Sequence, residues 1–216
     1  MIIAIDGPAA SGKGTLARRL AAHLGFAHLD TGRLYRAVGL KLQRLGKNGE
    51  DVEAATRAAK ELKPADLDDP EIATDKAAGM ASKVAAIPDV RSELIDFQRN
   101  FAHNPPGGAK GAVLDGRDIG TVICPDAEIK FFVVASEEAR AIRRFEELKR
   151  AGHEVSLETV LSEMRARDKR DSERATARLV QAKDAHLLDT TNSDIDSVFQ
   201  AALALVLPKI EQFRRK

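Results

Sequence analysis

Residues 1–15 read MIIAIDGPAASGKGT, and this stretch decides the fold. An apolar run from Met1 to Ile5 meets Asp6, then the turn G-P-A-A-S-G-K-G-T, then a helical pattern. Strand, glycine-rich turn and helix in that order is the setting of a phosphate loop. Backbone N–H groups of the turn surround phosphate oxygens, and the helix N-terminus adds a favourable potential. Gly7 and Gly12 permit the turn, Pro8, Ala9, Ala10 and Ser11 complete it, and Lys13 reaches the outer phosphates. The usual pattern sets Ser or Thr directly after the lysine, where its hydroxyl holds Mg²⁺. Here Gly14 takes that place and Thr15 follows one residue late. ATP carrying Mg²⁺ is the ligand this loop leads one to expect.

Outward from the loop, four further apolar runs read as buried strands: Ala27–Leu29, Ala112–Leu114, Ile129–Val134 and His186–Leu188. Long helical patterns separate them, which predicts an α/β fold with a five-stranded parallel sheet covered by helices on both faces. Lys13–Leu24 carries Leu16, Leu20 and Leu24 on one face. Asp30-Thr31 is a helix entry ahead of Leu34, Val38, Leu42 and Leu45, and Ser136 with Glu137-Glu138 is another. The last helix follows a stripe from Ile195 to Ile210, with Ser193 and Asp196 as a capping box and Pro208 expected to kink or end it. Gly46 to Ile87 has no strand pattern and reads as a helical insertion that can continue through Pro88–Phe101, after which NPPGG at Asn104–Gly108 reads as a loop returning the chain to the sheet.

Composition limits the alternatives. The 216 residues suit one domain with insertions, and 44% hydrophobic residues supply a sizeable core. A net charge of +1 speaks against a broad nucleic-acid-binding face. No apolar stretch is long enough to span a bilayer, and the apolar start lacks the basic region of a secretory leader. A monomeric cytoplasmic protein is the expectation. The single cysteine, Cys124, cannot make an internal disulfide, and the five histidines show no metal-ligand spacing. No metal held by protein ligands alone is therefore expected. The D-x-x-G and N-K-x-D motifs of GTP-driven switches occur nowhere, which leaves a small kinase as the favoured class.

Four more segments narrow the class. LDTGRLYR at Leu29–Arg36, SKVAAIPDVR at Ser82–Arg91, LDGRDIGTVICPDA at Leu114–Ala127 and RARDKRDSERA at Arg165–Ala175 stand in this order along the chain. Together with the G-K-G-T loop they resemble bacterial cytidylate kinase, a nucleoside monophosphate kinase family with the phosphate-loop kinase fold. The resemblance implies a core of residues 1–45, 109–144 and 157–216, a monophosphate-binding insertion at about 46–108 and a lid at about 145–156. The insertion is shorter than in the family's better-known members, which carry a small β-sheet there. The implied reaction is phosphoryl transfer from ATP to CMP or dCMP.

Such transfer needs positioning and charge neutralisation rather than a strong base. Arg167, Arg170 and Arg174 are spaced three and four apart, on one face of a continuous helix, with Asp171 between them as a candidate to hold one guanidinium. By resemblance, Arg167 and Arg174 belong at the acceptor phosphate and the transferring group, and Thr31 and Arg36 hold the monophosphate. Cytosine presents an exocyclic amine beside two acceptors, so its reader needs one acceptor and at least one donor. Asp118 is the candidate acceptor for the amine, and Arg91 and Ser82 are the donors. Arg117 is a candidate for the acceptor phosphate. Tyr35 is equally a packing residue. Arg143 either reaches ATP or lies on a solvated helix face. Asp115 is placed to approach Mg²⁺, to orient arginines or to cap a turn, whereas Asp6 reads as structural.

Overall fold

All five apolar runs form parallel strands in a single sheet. The computed structural model describes residues 1–173 and 178–214. The strands are β1 (Ile2–Asp6), β2 (Ala27–Asp30), β3 (Ala112–Gly116), β4 (Ile129–Val134) and β5 (His186–Asp189), in the spatial order β2-β3-β1-β4-β5. The central strand β1 pairs Ile2 with Ala112 on one side and Ile3 with Ile129 on the other. Every residue of β1 and β3 is buried, as expected for strands covered on both faces.

Side-chain alternation along β1 feeds two separate cores. Ile2 and Ala4 join Leu34 and Val38 of α2 (Thr31–Arg44) and Val90 and Leu94 of α5 (Pro88–His103). Ile3 and Ile5 face the other way, onto Leu16 and Leu20 of α1 (Lys13–Leu24) and Phe199 and Val206 of α8 (Ile195–Arg214). Between α2 and α5 lie α3 (Val52–Lys60), two short 3₁₀ turns and α4 (Asp75–Val84), so the segment expected to be helical is helical. Between β4 and β5 in the chain come α6 (Glu137–Arg150) and α7 (Leu157–Glu173), which share a small apolar cluster of Ala141, Leu148, Val160 and Met164. No helix among the described residues is long and apolar enough to cross a membrane.

The entry residues Asp30 and Ser136 cap their helices by accepting from Gly32 N and Ala139 N at 2.9 and 3.2 Å. Two details of α8 differ from expectation. Its cap is Asp194, which accepts from Ser197 N at 2.8 Å, whereas the Ser193 hydroxyl turns back to the Asp189 carbonyl at 3.4 Å. Asp194 wins because it directly precedes the first helical turn, which leaves Ser193 one position too early. The helix also continues through Pro208 to Arg214. The carbonyl that loses its partner there belongs to Ala204, an exposed residue that water can reach.

Candidate active site

The carboxyl ends of β1, β2 and β3 open onto a cleft of about 560 Å³, where open parallel sheets place their ligands. Its floor is the phosphate loop. Gly7 follows directly on β1, and a Cβ there would stand 2.2 Å from the Val133 carbonyl, so only glycine fits. Gly12 caps α1 in the left-handed region at φ 88°, and Ala10 holds φ 57°. The first N–H groups of α1, at Lys13, Gly14 and Thr15, lack intrahelical acceptors and constitute an anion site.

Lys13 lines the cleft without a hydrogen-bond or ion-pair partner among the described residues. Burial, reinforced by the Arg117 charge, lowers its amine from the usual value to about 8. Arg36 likewise lines the cleft without a partner, and burial lowers its pKa. Two partly buried cations with no direct ion pair are a standing cost that the nearby Asp30 and Asp115 offset only in part, and a polyanion in the cleft would reduce it.

The same cleft is lined by a buried polar set. Arg91 of α5 pairs through Nη2 with the Asp118 carboxylate, and its Nη1 donates to the Tyr35 hydroxyl at 3.2 Å. Tyr35 is thus both a packing residue, 8% exposed, and part of this polar set. A second network joins α4, α7 and the loop after β3. Asp171 accepts from Ser82 Oγ at 3.3 Å and from Arg117 Nε at 2.8 Å, and Arg170 Nε donates to Ser82 Oγ at 3.3 Å. Arg167 lines the same cleft beside Arg170, whereas Arg174 lies outside the described residues. The Thr31 hydroxyl donates to the Asp115 carbonyl at 2.9 Å, bringing β2 and β3 together at the cleft rim.

A second cleft of about 420 Å³ shares Ala10, Lys13 and Gly14 with the first and continues along α1 past Thr15. Arg143 lines it, with Nη1 donating to Thr190 Oγ1 at 2.9 Å and Nη2 to the Thr190 carbonyl. Arg143 is therefore tied to the C-terminal end of β5 and does not lie on a solvated face. Two clefts meeting at one lysine and one anion loop can hold two phosphorylated molecules end to end.

The oxygen donors beside the loop suit a hard divalent cation. Asp115 Oδ2 is held by His28 Nε2 at 2.8 Å, and Oδ1 stands 3.6 Å from where a Gly14 Cβ would be. The missing side chain at Gly14 thus leaves Asp115 at the spot that a Ser or Thr hydroxyl would otherwise approach. The Thr15 hydroxyl accepts from Arg18 Nη2 at 3.3 Å.

A family model described as cytidylate kinase matches residues 3–207. The chain belongs to the cytidylate kinase family. It is 60% identical over 205 residues to a cytidylate kinase of Paramagnetospirillum magneticum, covering 95% of this chain and 97% of that one. It is 56% identical over 212 residues to a cytidylate kinase of Rhodospirillum rubrum, covering 98% and 100%. Among solved structures, an uncharacterized protein from Eubacterium ventriosum shares the fold, with TM-score 0.56 and 18% identity over 95% of this chain and 98% of that one.

Within this cytidylate kinase fold, three positions carry more of the site than their sequence context suggests. Arg140 is buried, donates to the Ala9 carbonyl at 3.3 Å and pairs with Asp168 at 2.7 Å, which links the phosphate loop to α7. The Thr190 hydroxyl lies 2.9 Å from the Ser11 carbonyl. His28 orients Asp115. Thr190 and His28 were findable as polar residues in or just after the two edge strands β2 and β5. Nothing in the sequence distinguishes Arg140 from Arg143 and Arg144.

Proposed function

We propose that this chain transfers the γ-phosphoryl group of ATP to CMP, and also to dCMP, giving CDP and dCDP. The observation that carries the reading is the layout of one cleft. That cleft is lined by the anion loop with Lys13 and Arg36, by the buried Arg91–Asp118 pair, and by Arg117, Arg167 and Arg170. The distribution suits a nucleoside monophosphate, with its base at the pair and its phosphate toward Lys13.

In the reaction, an ionised oxygen of the acceptor phosphate attacks the γ-phosphorus in line. The bond to the β,γ-bridging oxygen breaks and ADP departs with that electron pair. Lys13 and the loop amides at residues 7–15 neutralise charge on the donor phosphates. Arg36 and Thr31 hold the acceptor phosphate, and Arg117, Arg167, Arg170 and Arg174 stabilise the spread charge of the transferring group. Asp171 keeps Arg117 and Ser82 in place. Thr15 and Asp115 would help to hold Mg²⁺ arriving with ATP, which would supply further neutralisation of phosphate charge. Arg143 orders the donor side through Thr190.

For the base, Asp118 accepts from the exocyclic amine while Arg91 and Ser82 donate to the ring acceptors. Residues 46–108 serve as the acceptor-binding insertion, 145–156 as a lid that excludes water, and the remainder as the core. The working unit is a cytoplasmic monomer. A coupled assay of the purified protein over CMP, dCMP, UMP, AMP and GMP tests the reading. CMP and dCMP turn over fast and the others slowly. Equal turnover of AMP and CMP overturns the base assignment.

A further inference from the structure

Asp6 ends β1 and immediately precedes the phosphate loop, yet its carboxylate points across the sheet. Oδ1 accepts from Ile119 N at 2.7 Å and Oδ2 from Gly120 N at 2.8 Å. These are the first two N–H groups of the single π-helical turn Ile119–Ile123 that follows Asp118. The first N–H groups of any helical turn lack acceptors within it, and the residue at the cap position commonly supplies one from its own side chain. Asp118 occupies that cap position and makes no side-chain cap bond. Its backbone carbonyl closes the turn, accepting from Val122 N at 2.9 Å, while its carboxylate reaches Arg91 instead.

We propose that Asp6 is a positioning residue of the acceptor site, capping the turn in place of Asp118 and so freeing the Asp118 carboxylate for the base pocket. The inference rests on the reading of Asp118 as part of the CMP site. A carboxylate has one conformational choice at a time. If the Ile119 and Gly120 amides lacked Asp6, the nearest acid able to satisfy them would be Asp118, turned away from Arg91.

Titration calorimetry of CMP and of a non-hydrolysable ATP analogue, with wild-type protein and Asp6→Asn, tests this. The asparagine is isosteric but brings an N–H₂ against one of the two amides. At pH 8, above the value of about 7 to which burial raises the Asp6 carboxyl, CMP affinity should fall about 10- to 100-fold, the loss expected for charge-assisted hydrogen bonds. Affinity for the analogue should stay within about twofold. Unchanged CMP affinity in Asp6→Asn overturns the proposal. Equal loss of both ligands overturns it too, since Asp6 then supports the fold at large. Failure of the wild-type protein to bind CMP overturns the functional reading and the proposal with it. Amide exchange in the ligand-free wild-type protein needs no variant. Ile119 and Gly120 should be protected, and fast exchange at both overturns the clamp.

Discussion

The guanidinium of Arg91 and the carboxylate of Asp118 pair where their side chains are only 6% and 8% exposed. Neither charge could stay there alone. A buried pair is a weak source of net stability, but removing one partner strands the other at about 3–5 kcal/mol. The pair is therefore better understood as a fixed hydrogen-bonding surface lining the cleft. Asp118→Asn should lower stability by about 3–5 kcal/mol if Arg91 stays unpaired, as read by denaturant unfolding. It should also shift selectivity. An amide can donate as well as accept, so the ratio of kcat/KM for CMP over UMP should fall at least about tenfold.

Lys13 gives the pH-dependent case. Its amine titrates near 8 in the folded chain, below the unfolded value of 10.5. The unfolded chain therefore binds more protons between these values, and stability rises with pH across that window. The cost of the buried cation is fully present below about pH 8. Lys13→Met should consequently match or exceed wild-type stability at pH 7, with the difference shrinking toward pH 10.5, while nearly all phosphoryl transfer is lost. Near-normal turnover in this variant would show that the loop does not hold the donor.

Gly7→Ala tests the loop geometry without touching charge. The added Cβ would meet the Val133 carbonyl at 2.2 Å, and both atoms belong to the sheet edge that carries the loop. The backbone must move, so a loss of about 1–3 kcal/mol is expected, with KM for ATP raised more than KM for CMP. Thermal melting and two-substrate kinetics read the two effects separately.

Cys124 is fully buried, and burial pushes its thiol up to about 12. Since the thiolate is the reactive form, the native protein should resist alkylation by iodoacetamide at pH 8 and react once unfolded in urea. Activity should be unchanged after native exposure to the reagent.

Much of this was legible in the chain because apolar periodicity and glycine punctuation are local. The five strands, the phosphate loop and the caps at Asp30 and Ser136 all follow from neighbours in sequence. What the sequence concealed depends on partners far apart. Asp6 reads as an ordinary strand end until residues 119 and 120 arrive beside it. His28 is unremarkable until Asp115 lies 2.8 Å away. Asp171 stands among arginines of its own helix, yet it also holds Arg117 from the loop after β3. The misread cap of α8 has a different cause. Ser193 and Asp194 both suit that role, and a one-residue choice between them turns on backbone geometry.

The strand order has a consequence for synthesis. β1 and β2 are made first but do not touch, because β3 lies between them in the sheet. A nascent chain short of Ala112 thus holds the whole phosphate loop on a strand with no hydrogen-bonded neighbour. β1 finds its first strand partner only when Ile2 meets Ala112, 110 residues away, which makes assembly slow and leaves apolar β1 open to misassociation on the ribosome. Nucleotide cannot rescue such a fragment by binding it, since the floor of the cleft exists only after its central strand is flanked on both sides.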